Sequence, residues 1–163
     1  MNIGRLAGGF YSITFLTGAY ALFVGGRFGR PAILVATVAY VAVTVAFYVM
    51  FKPVSQRLSL FAALVGVGGC VAGALGLSPL PIFGVYCATI GYLILRSAFI
   101  PAWLGVLMML AGGGWLTFLS KPFVAAFAPY VYLPGLLGEG ALTAWLLVFG
   151  ASATRATAPN RAR

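Results

Sequence analysis

Long apolar runs alternate along the chain with short connections marked by Pro, Gly, Lys or Arg. The runs fall at 6–24, 32–51, 58–77, 80–96, 102–119 and 133–150, each close to the roughly 20 residues that a helix needs to cross hydrocarbon. In lipid every backbone N–H and C=O must find its partner inside the protein, so runs of this kind fold as helices. A transmembrane barrel would alternate polar and apolar positions, and Val41–Val45 and Leu60–Val65 show no such period. The pattern predicts an all-α fold, a polytopic membrane helix bundle with six transmembrane helices and short loops. It forms a single domain over 1–150, followed by a polar basic tail at 151–163.

The connections give direction to this scheme. Ala19-Tyr20-Ala21 imitates a signal-peptide cleavage site, but the apolar run continues through Val24 and reads as an uncleaved first helix. Pro31 and Pro101 suit the first turns of the second and fifth helices. Lys121-Pro122 reads as the end of the fifth helix. The following 123–133 is broken by Pro129 and Pro134 and reads as an interfacial segment, with Tyr130 and Tyr132 at the headgroup level. Arg5, Lys52, Arg57, Arg96, Arg155, Arg161 and Arg163 then lie on the side of both termini, and Arg27, Arg30 and Lys121 on the other. Seven basic residues against three predict that both termini are cytoplasmic.

Composition removes most other function classes. With 63% hydrophobic and 7% charged residues, against about 25% charged in soluble proteins, the chain cannot cover a water-soluble globule. The net charge of +9 is spread between apolar runs and forms no stripe for nucleic-acid phosphates. No nucleic-acid partner is expected. Arg155, Arg161 and Arg163 in the tail are candidate contacts for anionic lipid headgroups. Membrane lipids and other membrane protein subunits are the expected partners. The chain has no His and two Cys, and Cys70 and Cys87 match no metal or redox spacing. They are assigned no chemistry. Metal sites, serine or cysteine triads and paired carboxylates are all beyond these residues, so no catalysis and no cofactor are expected.

Small residues mark where helices approach closely. Gly69 and Gly73 form one such face, within the chain or toward a second copy, and Gly84, Ala88 and Gly91 form another. Gly112-Gly113-Gly114 is a bend or a close-packing point. The strongest single feature is Glu139, the only acidic residue of the chain. A charge at the bilayer centre costs about 2.5–3.5 kcal/mol on insertion scales, so such groups face protein or a wet cavity. Arg27, Arg30 or Lys121 is the expected partner, with Tyr20 and Tyr86 also within reach, and the pairing is either structural or ion-linked in a transport path. A faint echo between Arg30-Pro31-Ala32-Ile33-Leu34 and Ile100-Pro101-Ala102-Trp103-Leu104 has the positions expected of an inverted repeat.

The run Gly91-Tyr-Leu-Ile-Leu-Arg-Ser-Ala-Phe-Ile-Pro-Ala-Trp-Leu-Gly-Val-Leu, followed by Ala111-Gly112, resembles the helical hairpin of the bacterial family called domain of unknown function 4386. Arg5-Leu-Ala-Gly-Gly-Phe-Tyr, Lys52-Pro-Val-Ser and Leu137-Gly-Glu-Gly-Ala-Leu-Thr-Ala-Trp-Leu-Leu also resemble its pattern, so that the likeness touches nearly the whole chain. The chain departs from that pattern at Gly25–Arg30, where the family has a longer polar loop. The resemblance implies a six-helix protein of the bacterial cytoplasmic membrane and no particular activity. The expected role is a non-catalytic structural or accessory subunit of a larger membrane complex, for example respiratory or photosynthetic. The alternative is a small transporter of a lipid or other solute using Glu139.

Overall fold

The structure is a computed structural model that describes residues 2–151. Among these residues all regular structure is helical, in the order α1 (Ile3–Phe23), α2 (Gly29–Phe51), α3 (Gln56–Ala74), α4 (Leu80–Arg96), α5 (Ala102–Leu116), α6 (Lys121–Phe127) and α7 (Leu133–Val148). Arg155, Arg161 and Arg163 lie outside the described residues.

Local chemistry sets the ends. The Asn2 side chain accepts the Gly4 N–H at 3.0 Å and caps α1, and Ser55 caps α3 through the Leu58 N–H at 3.4 Å. Pro stands in the first turn of α4, α6 and α7, where its missing N–H leaves no intrahelical bond unmade. Lys121-Pro122 accordingly opens α6 and does not end α5, which stops at Leu116 and tightens into a 3-10 turn over Thr117–Leu119. A second 3-10 turn, Tyr130–Tyr132, leads into α7.

Six long helices close into a ring. Each packs on its neighbours in the order α1, α2, α3, α4, α5, α7, and α7 returns to α1. Close backbone approach at small residues makes this possible. A Cβ on Gly84 would stand 2.8 Å from the Gly112 carbonyl oxygen, and one on Gly91 would stand 2.6 Å from that of Gly105. Gly112 in turn meets Ala88, so Gly84, Ala88 and Gly91 form the α4 side of the contact with α5. Gly69 accommodates the Phe83 ring of α4, and Gly73 faces Pro79. The helix α5 runs through the triple glycine without a break. Gly112 and Gly114 pack against α4 and Pro134, while Gly113 is open. At the end of the bundle where α1 begins and α7 stops, Arg5 Nη2 donates to the Val148 carbonyl at 3.0 Å, where a cation suits the carbonyl end of α7.

The ring is solid at that end and hollow at the other. Phe47, Phe51, Leu93, Ile94, Leu104, Met108, Leu142 and Leu146 are fully buried near the termini. The outer surface is apolar as well, with Leu16 72% and Val38 71% exposed. Such a surface fits lipid and not water. Four stretches, Gly26–Phe51, Gln56–Ala74, Ala102–Leu119 and Tyr130–Val148, are long and apolar enough to cross a membrane, and α4 is a shorter apolar helix.

Candidate functional site

Glu139 sits on the inward face of α7, about 9 Å from its start at 1.5 Å per residue, and is 8% exposed. Three donors converge on its carboxylate from three other helices. The Tyr11 hydroxyl of α1 donates to Oε2 at 2.8 Å. The Trp115 indole Nε1–H of α5 donates to Oε1 at 2.5 Å, and the Cys87 thiol of α4 reaches the same oxygen at 3.6 Å. The Thr143 hydroxyl, one turn along α7, donates to the Glu139 backbone carbonyl at 2.7 Å. An indole N–H can only donate, so Oε1 is an acceptor.

Two glycines one helical turn apart or less make this geometry possible. Gly135 leaves the α7 backbone bare, and the Trp115 indole lies across it, bringing Nε1 to the carboxylate. Gly138 lets α7 approach the Leu107 carbonyl and Ala111 of α5. Tyr11 is held from the other side. Its ring stands edge-on to Tyr40 at 6.1 Å and to Phe47 at 5.9 Å, both from α2. Tyr40 then contacts Tyr86 and Phe83 of α4 at 5.5 and 4.6 Å between ring centres. The Tyr40 hydroxyl is buried and has no hydrogen-bond partner among the described residues.

The structure therefore brings Glu139 together with Tyr11, Cys87 and Trp115, and not with Arg27, Arg30 or Lys121. Those three basic side chains are exposed, and the Arg27 guanidinium lies 4.5 Å over the Phe28 ring. The reason is energetic. Burying two charges together costs several kcal/mol of hydration for each, whereas a hydroxyl or indole hydrogen-bonded to a charged group returns about 1.5–3 kcal/mol and is cheaper to desolvate. Tyr20 and Tyr86 are not donors to Glu139 either; Tyr86 is buried on α4 and Tyr20 is 37% exposed. Cys87, which matches no metal or redox spacing, belongs to the site.

A cavity of about 600 Å³ occupies the hollow end of the ring, and Glu139 lines it. Its inner end is formed by Thr14, Tyr40, Gly69, Phe83 and Glu139, and Phe23, Leu77 and Tyr132 lie toward the ends of their helices farthest from the termini. Glu139 is the single acidic residue among its lining, which has no Lys or Arg. Gly69 and Gly73, expected on a packing face, line this cavity as well. No group of three or more metal-ligating side chains occurs among the described residues.

Residues 77–150 match the family described as Domain of unknown function (DUF4386). The match covers the Gly91–Leu107 hairpin and Glu139 but not the Arg5–Tyr11 or Lys52–Ser55 motifs, so it is narrower than the sequence likeness suggested. A protein of Archaeoglobus fulgidus, titled "Uncharacterized protein", is 24% identical over 124 residues, covering 68% of this chain and 76% of its own length. No solved structure matches the chain.

Proposed function

Taking the match of residues 77–150 to the DUF4386 family as the premise, we propose that the chain is a six-crossing membrane protein that takes a small amphiphilic molecule into the cavity ending at Glu139. The observation that carries this reading is a cavity of about 600 Å³ lined by one acidic residue, Glu139, and by no basic one. Sites for small molecules are concave, mostly apolar, and of roughly 300–1,000 Å³, with a few placed polar groups. The count of six is supported by α1, 21 residues long, and α4, with 17, beside the four long apolar stretches. The Arg5–Val148 contact joins the start of α1 to the end of α7, which supports an even number of crossings. The basic residues put that side in the cytoplasm, so the cavity lies in the outer half of the membrane. The site performs no reaction of its own and serves transfer of the bound molecule. Tyr11 comes from the first three helices, whereas Cys87, Trp115 and Glu139 come from the last three long ones. The carboxylate thus ties together two halves that would have to move apart for release.

Gly18 lines the cavity and has no atom within 4 Å of where a Cβ would stand, so Gly18→Leu fills space without a clash at the backbone. Native mass spectrometry of the protein in lipid nanodiscs tests the reading. The wild type is expected to retain a small molecule that Gly18→Leu loses. Equal retention by both, or none in either, would count against it. An accessory-subunit role is the second reading, favoured by Gly68, which is exposed on α3 with open space around it beside exposed Leu64 and Val71, a surface on which a partner helix could lie closely. A second protein that co-migrates with the wild type and is lost on Gly68→Leu would support that role.

A further inference from the structure

We infer that the ligand of this cavity is a hydrophobic organic cation, an amine or onium group carrying apolar arms. The inference rests on the cavity being a binding site, as proposed above, and goes on to its charge selection. Glu139 is the one acidic residue in the lining, and in its ionised form it supplies a single negative charge there. Six aromatic residues, Phe15, Phe23, Tyr40, Phe83, Trp115 and Tyr132, line the same cavity, and the Trp115 indole is bonded to the carboxylate. Ring faces carry negative quadrupole potential and attract cations within about 6 Å of their centres, more strongly once the cation has lost its water. No Lys or Arg lines the cavity. Arg27, in the α1–α2 connection, and Arg30, in the first turn of α2, are exposed and in reach of solvent ions that screen them.

The carboxylate is poised for such a guest. An ionised carboxylate offers about four acceptor positions, and Tyr11, Trp115 and Cys87 use three, two of them on Oε1. Oε2 has one donor and keeps acceptor capacity. The three fixed donors hold the group in place but leave its negative charge without a counter-charge, since none of them is cationic. In a low-dielectric surrounding, an unscreened charge attracts an opposite one and repels a like one far more strongly than in water. Anionic amphiphiles such as fatty acids or phosphate monoesters are therefore excluded, and a neutral amphiphile gains nothing from Glu139 beyond a hydrogen bond.

Two probes of nearly the same shape and opposite charge, tetraphenylphosphonium and tetraphenylborate, separate the possibilities. Binding is measured by equilibrium dialysis against protein in nanodiscs of zwitterionic lipid, with partition into empty discs subtracted. The wild type is expected to bind the cation at least tenfold more tightly than the anion. Glu139→Gln is expected to lose that preference, and Gly18→Leu to lose binding of both probes. Equal affinity for the two probes in the wild type overturns the cation assignment but leaves the cavity a binding site. A preference that survives in Glu139→Gln overturns it too, since the charge selection then has another source. Binding no greater in the wild type than in Gly18→Leu overturns the inference and the binding-site reading together. The wild-type comparison stands alone if Glu139→Gln fails to fold.

Discussion

Tyr11→Phe removes one oxygen from the core and leaves the ring in place against Tyr40 and Phe47. It also removes the Tyr11 donor from Oε2 of Glu139, beside a Tyr11 side chain that is fully buried. Hydrogen bonds between helices in membranes average about 0.6 kcal/mol in double-mutant cycles, with a maximum near 1.7. A bond to a charged acceptor is worth about 1.5–3 kcal/mol, and orphaning the acceptor adds to the loss. The Tyr11 hydroxyl is fully buried and aims at a carboxylate, so the upper range applies, and a loss of about 2 kcal/mol is expected. Unfolding in mixed micelles with rising dodecyl sulfate, followed by tryptophan fluorescence, measures it. Tyr20→Phe is the control, because Tyr20 is 37% exposed and makes no contact with Glu139, and surface changes of this kind usually stay within about 0.5 kcal/mol. Adding Glu139→Gln to Tyr11→Phe should recover part of the loss, giving a coupling above about 1 kcal/mol as expected of residues in direct contact. Tyr11→Phe indistinguishable from Tyr20→Phe would refute the reasoning, since the carboxylate would then not depend on its α1 donor.

Other consequences follow from the same packing. Gly84→Ala and Gly91→Ala each place a Cβ under 3 Å from a backbone carbonyl of α5; each should cost about 1–3 kcal/mol by overpacking in the same micelle assay. Gly113→Ala meets open space and should be neutral or stabilising by up to about 1 kcal/mol, through helix propensity alone. In intact cells, an impermeant maleimide should label a cysteine introduced at Gly26 and not one at Ser97; the reverse result would invert the proposed orientation. Trp115→Phe should lower stability by more than Trp103→Phe, because only the Trp115 indole N–H is bonded to Glu139, and equal losses would show that bulk and not the hydrogen bond matters.

The helices were legible because lipid removes every other option for an apolar run, and α4 and α7 begin where the apolar pattern put them, at Leu80 and Leu133. Glu139 was legible for a different reason: with one acid in the chain, no other residue could be the buried anion. Its partners were not. Helices that are apolar on every face carry no stripe to say which side turns inward, so the rotation that brings Tyr11, Cys87 and Trp115 to one point could not be read. The signal that could have found one of them was the Gly-x-x-Gly-Glu pattern at Gly135, Gly138 and Glu139, a bared helix face fit to receive a large ring such as Trp115. The ionic partners failed because Arg27, Arg30 and Lys121 belong to the ends of helices, where their charge meets water. Lys121-Pro122 misled in a similar way, since the same dipeptide can stop one helix or start the next, and α6 shows it starting one. The cavity left no mark in the pattern, because a residue facing empty space and one facing a packed core are equally apolar.

The most direct measurement exploits the solitary acid. With glutamate side-chain carbons labelled by ¹³C, the infrared carboxyl bands of the protein in lipid report Glu139 alone, as no other Asp or Glu exists in the chain. Hydrogen bonds from Tyr11 and Trp115 predict bands displaced from those of glutamate in water, moving further in both Tyr11→Phe and Trp115→Phe. Bands at the position of solvated glutamate, unmoved by either substitution, would contradict a carboxylate held between four helices.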